Sequence, residues 1–343
     1  MSDRLGRTPA LSVLICYHNE GPLIGRALKS LFDSVDACDN GRADVEVIVY
    51  DNASSQPPDP FISPDYPVRL IRDRDNNGPS YARNRMGEVA RGEFLHFHDP
   101  DDVFSQRFLP ELRKSIGDLR PDLVLNQIRI IELGDRMIYY PVPVDYSPVS
   151  TTLLDLVVAS PLWLQSGTVR RRTFFEAGGF DEDLWYNEDS ELFERIADKV
   201  TDWRVVSEPL VDVIRRPNSH SRRDDLRRLR HTLRAYEKAD NWLPSKYDRT
   251  LAARASGLAI NFHHQNDQPS YARALALVQR RGGLTLDGFN PIYRRVAMRF
   301  GIPAAERLAM IKRFSRAIFR PSVLKQPSEV QGNAPEPSID PCS

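Results

Sequence analysis

The feature that most constrains the fold is a regular alternation of strand-like and helix-like segments in the first 100 residues. Four short apolar runs have the length and composition of strands buried on both faces, at residues 11–16, 45–50, 68–71 and 94–98. Apolar residues at helical spacing predict helices over residues 22–35 and 79–91. This β-α-β-β-α-β order predicts an α/β fold with a mostly parallel sheet flanked by helices.

Polar residues follow three of these strands, at the points where the strands end. They occupy residues 17–20, 51–54 and 99–102. In parallel sheets, ligands bind in the crevice at the carboxyl ends of the strands. We therefore expect these three segments to converge on one site.

The third segment, Asp99-Pro100-Asp101-Asp102, places three carboxylates within four residues. Carboxylates this close repel one another unless a cation or protons intervene. Mg²⁺ and Mn²⁺ prefer oxygen ligands, and they are often bound by one or two carboxylates together with phosphate oxygens. The alternative is a polar loop that caps a helix beginning near Ser105. The position at the end of a strand favours a metal site.

Four other residues allow both a structural and a functional interpretation. Asp51 either stabilises its own Asx-type turn or accepts a hydrogen bond from a nucleobase. Taken alone, Arg83 indicates an ordinary surface ion pair, and the alternative is a guanidinium that holds a phosphate or orients the acid cluster. Glu188 and Asp189 begin a helix, where the helix dipole favours acids, and either could act as a general base if it faced the crevice.

The histidines do not have the spacing of a zinc site. His96 and His98 alternate along one strand and share a face, which predicts hydrogen-bonded interior residues. His220 lies in a basic polar loop at residues 215–221, and we expect this loop to close over a diphosphate.

The rest of the chain is mixed and then helical. Strand-like or extended segments are predicted at residues 122–133, 138–144 and 160–169, and helices at residues 171–177 and 188–200. After residue 221 the pattern is helical and rich in charge. Residues 326–343 contain four prolines and few large apolar residues, so we expect them to be disordered.

Composition excludes several classes of protein. Lys+Arg and Asp+Glu number 47 each, so no overall positive field points to a nucleic-acid partner. Three cysteines without metal-binding spacing argue against a disulfide framework or a structural zinc site. We identify neither a signal peptide nor an apolar run of membrane-spanning length. These features predict a cytoplasmic protein.

The C-terminal region is locally basic. Residues 294–325 contain nine Lys/Arg and a single acid, Glu306, and apolar residues recur at helical spacing over residues 307–320. One hypothesis is a peripheral contact with the anionic inner face of a membrane. The other is a helix packed on the preceding part of the chain with its basic face in water.

Six short segments, in this order and at these intervals, resemble the family 2 glycosyltransferases: residues 11–20, 47–54, 77–84, 92–102, 178–182 and 187–192. The resemblance covers residues 10–221 and implies the GT-A fold. It implies a catalytic domain at residues 1–221, with a nucleotide-sugar half at about 10–102 and an acceptor half at about 103–221. A helical region at 222–325 and the tail at 326–343 would follow.

The resemblance also implies the donor-binding residues. Tyr17, Glu20 and Asp51 would hold the base and ribose, commonly of a uridine nucleotide, and Arg83 would support the phosphates. Asp99 and Asp101 match the metal-binding Asp-x-Asp pair of the family, and His220 completes the metal set that we predict for Mg²⁺ or Mn²⁺.

The acceptor side follows from the later segments. Glu188-Asp189 matches the acidic pair that supplies the general base, and Asp189 is our choice within the pair. Members of this family invert the anomeric carbon. Trp163 and Trp185 flank the expected acceptor side, where they would either stack on sugar rings or pack in the core. The predicted function is transfer of a sugar, from a UDP-sugar in particular, to a hydroxyl of a glycan or lipid-linked acceptor.

Two other functions are compatible with this architecture. A sugar-nucleotide nucleotidyltransferase should carry a Gly-rich basic loop after the first strand, and Tyr17-His18-Asn19-Glu20 has neither property. A non-catalytic sugar-binding protein would not need both the Asp cluster and the Glu-Asp pair. The sequence also departs from the family pattern at residues 16–19, where the family has proline and a small residue, and at His98, where it has an apolar residue.

Overall fold

The computed structural model of the protein describes residues 10–132, 138–141, 152–160, 162–216 and 225–318. Within these residues, nine strands form a single mixed sheet: β1 (Leu11–Tyr17), β2 (Val45–Asp51), β3 (Val68–Arg72), β4 (Phe94–His98), β5 (Val103–Phe104), β6 (Leu123–Glu132), β7 (Ile138–Pro141), β8 (Gly167–Arg170) and β9 (Trp203–Arg215). Their order in the sheet is β3-β2-β1-β4-β8-β6-β9-β5, and β7 pairs with β6.

The described residues also form twelve α-helices: α1 (Leu23–Asp36), α2 (Gly41–Asp44), α3 (Pro79–Val89), α4 (Phe108–Ile116), α5 (Leu153–Ala159), α6 (Arg171–Glu176), α7 (Glu188–Lys199), α8 (Leu226–Asp240), α9 (Asp248–His264), α10 (Gln268–Arg280), α11 (Pro291–Phe300) and α12 (Ile302–Ile318). The predicted α/β class is therefore confirmed. None of the helices in these ranges is long and apolar enough to cross a membrane.

The first half of the sheet is parallel, as predicted. β1 lies between β2 and β4, and β3 lies outside β2. Tyr17 pairs with Asp51 and Ile15 pairs with His98, so the carboxyl ends of these strands lie on one edge of the sheet. Apolar side chains on both faces of β1 are buried, which is the expected result for a strand covered by helices on each side.

The second half of the sheet contains a strand that the sequence analysis missed. β9 is 13 residues long and runs parallel to β6. Its register shifts opposite Asn126 and Gln127, and Pro209 lies at this irregularity. Proline lacks the N–H that a regular ladder needs, so a proline within an apolar run argues against a strand, although a bulge accommodates it here.

Two other segments differ in detail from the prediction. The segment predicted as extended at residues 160–169 contains a 3-10 turn, Leu164–Ser166, before β8 begins. β7 returns antiparallel to β6 as expected, and residues 142–144 of that predicted strand lie outside the described residues.

The chain divides into two compact units, residues 1–287 and 288–343. The first unit contains the sheet and the helices α1 to α10, and in it α9 packs against α8 and α10. In the second unit, α11 packs against α12. The proposed catalytic boundary near residue 221 rests on the family resemblance and remains a prediction, and the predicted disordered tail at 326–343 lies outside the described residues.

Candidate active site

The three acids after β4 have different environments. The side chains of Asp99 and Asp101 are 36% and 30% exposed, whereas Asp102 is buried. Asp102 Oδ1 accepts a hydrogen bond from the backbone N–H of Ile214, at the end of β9, over 2.9 Å. Burial, followed by the charges of Asp101 and Asp99, raises the pKa of Asp102 well above its ordinary value. Asp102 therefore attaches the cluster to β9, and the other two acids remain partly exposed to solvent.

Gln165 connects two of these acids through one amide group. Its Nε2 donates to Asp99 Oδ2 over 2.8 Å and to Asp102 Oδ2. The Gln165 side chain is buried within the 3-10 turn that precedes β8. Its hydrogen bonds hold Asp99 in one orientation.

Asp101 lies close to two guanidinium groups. Its Oδ2 is 3.6 Å from Arg216 Nη1, and its backbone oxygen accepts a hydrogen bond from Arg26 Nη2 over 2.8 Å. Despite these cations, burial and the neighbouring charge of Asp99 raise the pKa of Asp101 to about 6. The ionised form of Asp101 is therefore destabilised in the protein despite the two nearby guanidinium groups.

Arg83 joins the acid cluster to the start of α7. Its Nη2 donates to Asp99 Oδ1 over 2.9 Å and its Nη1 donates to Glu188 Oε1 over 2.6 Å. The Arg83 side chain is 7% exposed, so the interpretation as a surface ion pair is wrong. Burial opposes its charge, but the carboxylates of Asp99 and Glu188 outweigh this effect and raise its pKa. The Phe180 ring, 5.4 Å away, adds a cation–π contact.

Asp189 is held by backbone donors at the start of α7. Its Oδ2 accepts from Leu164 N–H over 3.1 Å, and its Oδ1 accepts from Ser190 N–H over 2.7 Å. Burial and then the charge of Glu188 raise the pKa of Asp189 to about 7. A carboxylate that titrates near neutral pH, in a fixed orientation, has the properties of a general base.

A polar network joins the loops that follow β1, β2 and β3. His18 Nδ1 hydrogen-bonds to the backbone oxygen of Asn52 over 2.9 Å, which makes Nδ1 the donor and Nε2 an acceptor. Asn76 Nδ2 lies 3.2 Å from His18 Nε2, and Asn76 Oδ1 accepts from Asn52 Nδ2 over 2.9 Å. His18 therefore helps to hold together the loops that follow β1, β2 and β3. The sequence did not indicate this role.

The predicted donor-binding residues lie along the same edge. Asp51 Oδ1 accepts from Ser54 N–H over 2.9 Å, so the turn-stabilising interpretation holds. The Tyr17 ring is fully buried, and its hydroxyl donates to Gln56 O over 2.8 Å. Burial raises the pKa of Glu20 to about 7. Direct contact of Tyr17, Glu20 or Asp51 with a nucleotide remains a prediction.

Trp185 and Trp163 each stack with a guanidinium. Arg227 lies 4.3 Å from the Trp185 ring, and Arg215 lies 4.8 Å from the Trp163 ring. Trp163 also packs partly against the main core. Their predicted contact with acceptor sugars is untested, and His220 lies outside the described residues.

The interior position predicted for His96 and His98 is confirmed, but only His96 has the expected hydrogen bond. His96 Nδ1 lies 3.0 Å from Thr168 Oγ1, whereas the His98 ring stacks on Phe104 at a centroid distance of 3.7 Å. Burial lowers the pKa of His98 to about 3. His98 is therefore a neutral core residue at physiological pH.

Gly78 is required by the close approach of Trp185 to the start of α3. Its φ of +92° is unfavourable for other residues, and a Cβ there would lie 2.7 Å from two atoms of the indole. We expect Gly78→Ala to lower the free energy of unfolding by about 2 kcal/mol, measured by urea denaturation. The matched control is Gly257→Ala within α9, where a Cβ meets nothing within 4 Å. This variant should gain about 0.5–1 kcal/mol, because alanine favours helix. Equal effects at both positions would contradict the packing argument.

Several site residues escaped the sequence analysis. Gln165 and the backbone of Leu164 lie in a segment predicted only as extended, and Ile214 ends the strand that was missed. The one available signal was a polar residue, Gln165, following the apolar Trp163-Leu164 pair. In the described residues, no group of three or more His, Cys, Asp or Glu side chains has the arrangement of a complete metal site.

The sequence model of the family described as Glycosyl transferase family 2 matches residues 12–169, which include β1 to β4 and the acid cluster. The chain is similar to this family over a stretch that is slightly less than half of its length. The match ends before Glu188 and Asp189. It therefore includes the acid cluster at residues 99–102 but not the predicted general base.

Three curated relatives of this chain come from Bacillus subtilis (strain 168). The uncharacterized glycosyltransferase EpsJ is 26% identical over 200 residues, which cover 53% of this chain and 54% of EpsJ. The putative glycosyltransferase EpsH is 31% identical over 123 residues, 34% of this chain and 33% of EpsH. The uncharacterized glycosyltransferase YwdF is 27% identical over 206 residues, 60% of this chain and 73% of YwdF. The chain thus spans about half the length of EpsJ and a third of EpsH.

Solved structures share the fold over most of the chain. TarS 1–349 of S. aureus, in complex with UDP-GlcNAc, matches with a TM-score of 0.64 at 18% identity, covering 89% of this chain and 92% of that one. The mannosyltransferase PcManGT of Pyrobaculum calidifontis, in complex with GDP-Man and Mn²⁺, matches with a TM-score of 0.53 at 20% identity, covering 92% and 82%. The predicted GT-A type of fold is confirmed.

Proposed function

We propose that this protein is an inverting glycosyltransferase that transfers a sugar from a nucleoside-diphosphate donor to a hydroxyl of a glycan or lipid-linked acceptor. One observation carries the proposal. Arg83 links Asp99, at the end of β4, to Glu188, which directly precedes Asp189 at the start of α7. The acid cluster and the candidate base therefore belong to one connected site. A UDP-sugar is our first choice of donor, supported by the family resemblance and by the UDP-GlcNAc bound to TarS.

The acid cluster fits a divalent cation. Asp99 and Asp101 are partly exposed and supply only oxygen ligands, and burial together with the charge of Asp99 raises the pKa of Asp101. This chemistry suits Mg²⁺ or Mn²⁺, with donor phosphates and water as further ligands. When bound, such an ion would stabilise the negative charge that develops on the departing diphosphate. A contribution from His220 remains part of the proposal.

The residues of the chain would divide the remaining work. The acceptor oxygen attacks the anomeric carbon as the bond to the nucleoside diphosphate breaks on the opposite side, and Asp189 takes the hydroxyl proton. The N–H groups of Leu164 and Ser190 orient this carboxylate. Arg83 holds Asp99 in place through Nη2, and Glu188 accepts a hydrogen bond from Nη1 of the same guanidinium.

The donor base would lie near the loops after β1, β2 and β3. The network of His18, Asn52 and Asn76 keeps these loops together, and Glu20 and Asp51 lie along the same edge. Trp185 and Trp163 are proposed to contact the acceptor, supported by partly exposed indoles that already stack with guanidinium groups.

The pH dependence of turnover tests the base. Asp189 acts only when deprotonated, and its pKa is raised to about 7. Activity should therefore fall as the pH decreases through about 7, by about tenfold for each further unit, because the fraction of the base form falls in that proportion. The measurement is kcat/KM between pH 5.5 and pH 9 at saturating metal. A profile that stays flat from pH 5.5 upwards would exclude Asp189 as the base.

A panel of nucleotide sugars tests the function as a whole. Purified protein would be incubated with UDP- and GDP-sugars, a hydroxyl acceptor mixture and either Mg²⁺, Mn²⁺ or EDTA, with release of nucleoside diphosphate as the readout. Metal-dependent release of UDP from one donor is the expected result. Release of pyrophosphate from a nucleoside triphosphate would indicate a nucleotidyltransferase, and saturable binding without release would indicate a sugar-binding protein.

A further inference from the structure

Large apolar side chains that contact water are concentrated in the second compact unit. In the described residues, seven such side chains are exposed, and five of them lie between residues 289 and 310: Phe289, Ile292, Met298, Phe300 and Met310. Phe300 is 71% exposed and Met298 is 59% exposed. Contiguous exposed apolar surface is uncommon on soluble proteins, and it marks sites of interaction with proteins or membranes.

Basic side chains accompany these apolar residues. Residues 288–310 contain four arginines and one acid, Glu306, although the whole chain has no net charge. Glu306 Oε1 accepts a hydrogen bond from the Tyr293 hydroxyl. Arg294, Arg295 and Arg299 are all exposed on α11. The exposed surface of these residues therefore combines large apolar side chains with arginine side chains.

The two kinds of residue share one side of α11. Ile292, Arg295, Met298 and Arg299 recur at spacings of three and four, so they lie on the same face of the helix. Ala297, on another side, is buried. Arginine can lay its aliphatic stem along an apolar surface while its guanidinium reaches outwards. A mixed face of this kind suits a boundary between a hydrocarbon layer and charged headgroups.

We propose that the exposed side chains of residues 289–300, which include this face and are called the α11 surface (Phe289, Ile292, Met298 and Phe300 with Arg294, Arg295 and Arg299), bind the headgroup region of an anionic membrane. Charge complementarity selects this occupant, because each basic residue near an anionic leaflet strengthens binding by about fivefold. No helix in the described part of the chain can span a bilayer, so the contact is interfacial. The proposal is independent of the sugar-transfer chemistry.

The test is co-sedimentation of the full-length chain with vesicles. One set of vesicles contains phosphatidylcholine alone, and the other contains equal parts of phosphatidylcholine and phosphatidylglycerol. We expect the protein to bind the anionic vesicles, and this binding to weaken at high salt. Met298→Ser with Phe300→Ser, and separately Arg294→Glu with Arg295→Glu, should each weaken binding by about tenfold or more.

Leu119→Ser is the matched control. Leu119 lies in the first unit, and its side chain is 72% exposed, compared with 71% for Phe300. It should bind as the unchanged protein does. Thermal unfolding followed by circular dichroism checks that each variant is folded. Three outcomes would overturn the proposal: no binding to anionic vesicles, equal binding to neutral vesicles, or a change of oligomeric state in the Met298/Phe300 variant without a change in vesicle binding. The last outcome would identify a self-association surface.

The vesicle assay contains no nucleotide-sugar donor. A failure to bind vesicles would therefore leave the proposed transferase activity untouched.

Discussion

Replacing Asp189 with asparagine should reduce turnover by about 10²- to 10⁴-fold and leave the protein folded. Asparagine keeps the size of the side chain and one acceptor oxygen, but it cannot take a proton from a hydroxyl group. Because the pKa of Asp189 is raised to about 7, the native side chain is already partly protonated near neutral pH. The amide nitrogen would face the N–H of Leu164 or Ser190 and leave that donor without its acceptor, so we expect a folded protein that is less stable by about 1–3 kcal/mol, with the main loss in kcat.

The matched control for this variant is Asp198→Asn on the same helix, where the carboxylate is 40% exposed and pairs with Lys199. We expect its turnover to match that of the unchanged protein. Rates would be measured as nucleotide release at saturating donor, with urea unfolding to check the fold. Turnover of Asp189→Asn within a few-fold of the original would assign the base to another group, and Glu188→Gln would then be the next variant to measure.

Arg83→Ala should affect both stability and activity. The guanidinium is buried between the carboxylates of Asp99 and Glu188, and its removal leaves two acids without their shared cation. Breaking a buried ion pair by removing one partner costs about 3–5 kcal/mol, and the partial exposure of Asp99 places our expectation near the lower value. Donor turnover should also fall, because Asp99 loses one of its two orienting contacts.

Urea denaturation of the two variants Arg83→Ala and Arg85→Ala separates a buried cation from an exposed one. Arg85 lies on the same helix, is 40% exposed and pairs with Glu88, which is 43% exposed. Such a surface pair contributes at most about 1 kcal/mol. Arg83→Lys adds a third comparison, since an ammonium cannot donate to both acids with the geometry of a guanidinium. Equal losses for Arg83→Ala and Arg85→Ala would show that the Arg83 bridge contributes nothing beyond a surface contact.

The parallel half of the sheet was predictable because local patterns determine it. β1, β2 and β4 are apolar runs covered on both sides, and their polar continuations mark the edge where the strands end. Parallel pairing then requires these ends to lie together. The convergence of the segments beginning at Tyr17, Asp51 and Asp99 followed from the order of strands and helices together with parallel pairing.

The antiparallel and mixed half was not predictable in the same way. β9 contains polar residues at irregular intervals as well as Pro209, so its sequence favours a strand at some positions and opposes one at others. Its pairing with β6 over a bulge, and with β5 on its other side, makes the segment a strand. Long-range pairing of this kind leaves little trace in a local window of sequence.

Contacts between distant residues account for the remaining misses at the site. Arg83 appeared to be an ordinary surface charge because its partners lie 16 and 105 residues away along the chain. Gln165 had no local pattern that pointed to its bonds with Asp99 and Asp102. The sequence indicated which acidic and basic residues could form the site. It did not indicate the hydrogen bonds and ion pairs that join them.

The 3-10 turn Leu164–Ser166 touches both ends of the proposed site, since Gln165 donates to two acids of the cluster and Leu164 N–H donates to Asp189. Laboratory evolution of this protein should therefore find strong epistasis between this turn and positions 99, 102 and 189, because no member of the set can shift without disturbing the others. Changes of substrate preference should accumulate elsewhere, in side chains that line the crevice without taking part in this shared network. A mutational library that holds these positions constant would retain more active clones than one of equal size that varies them.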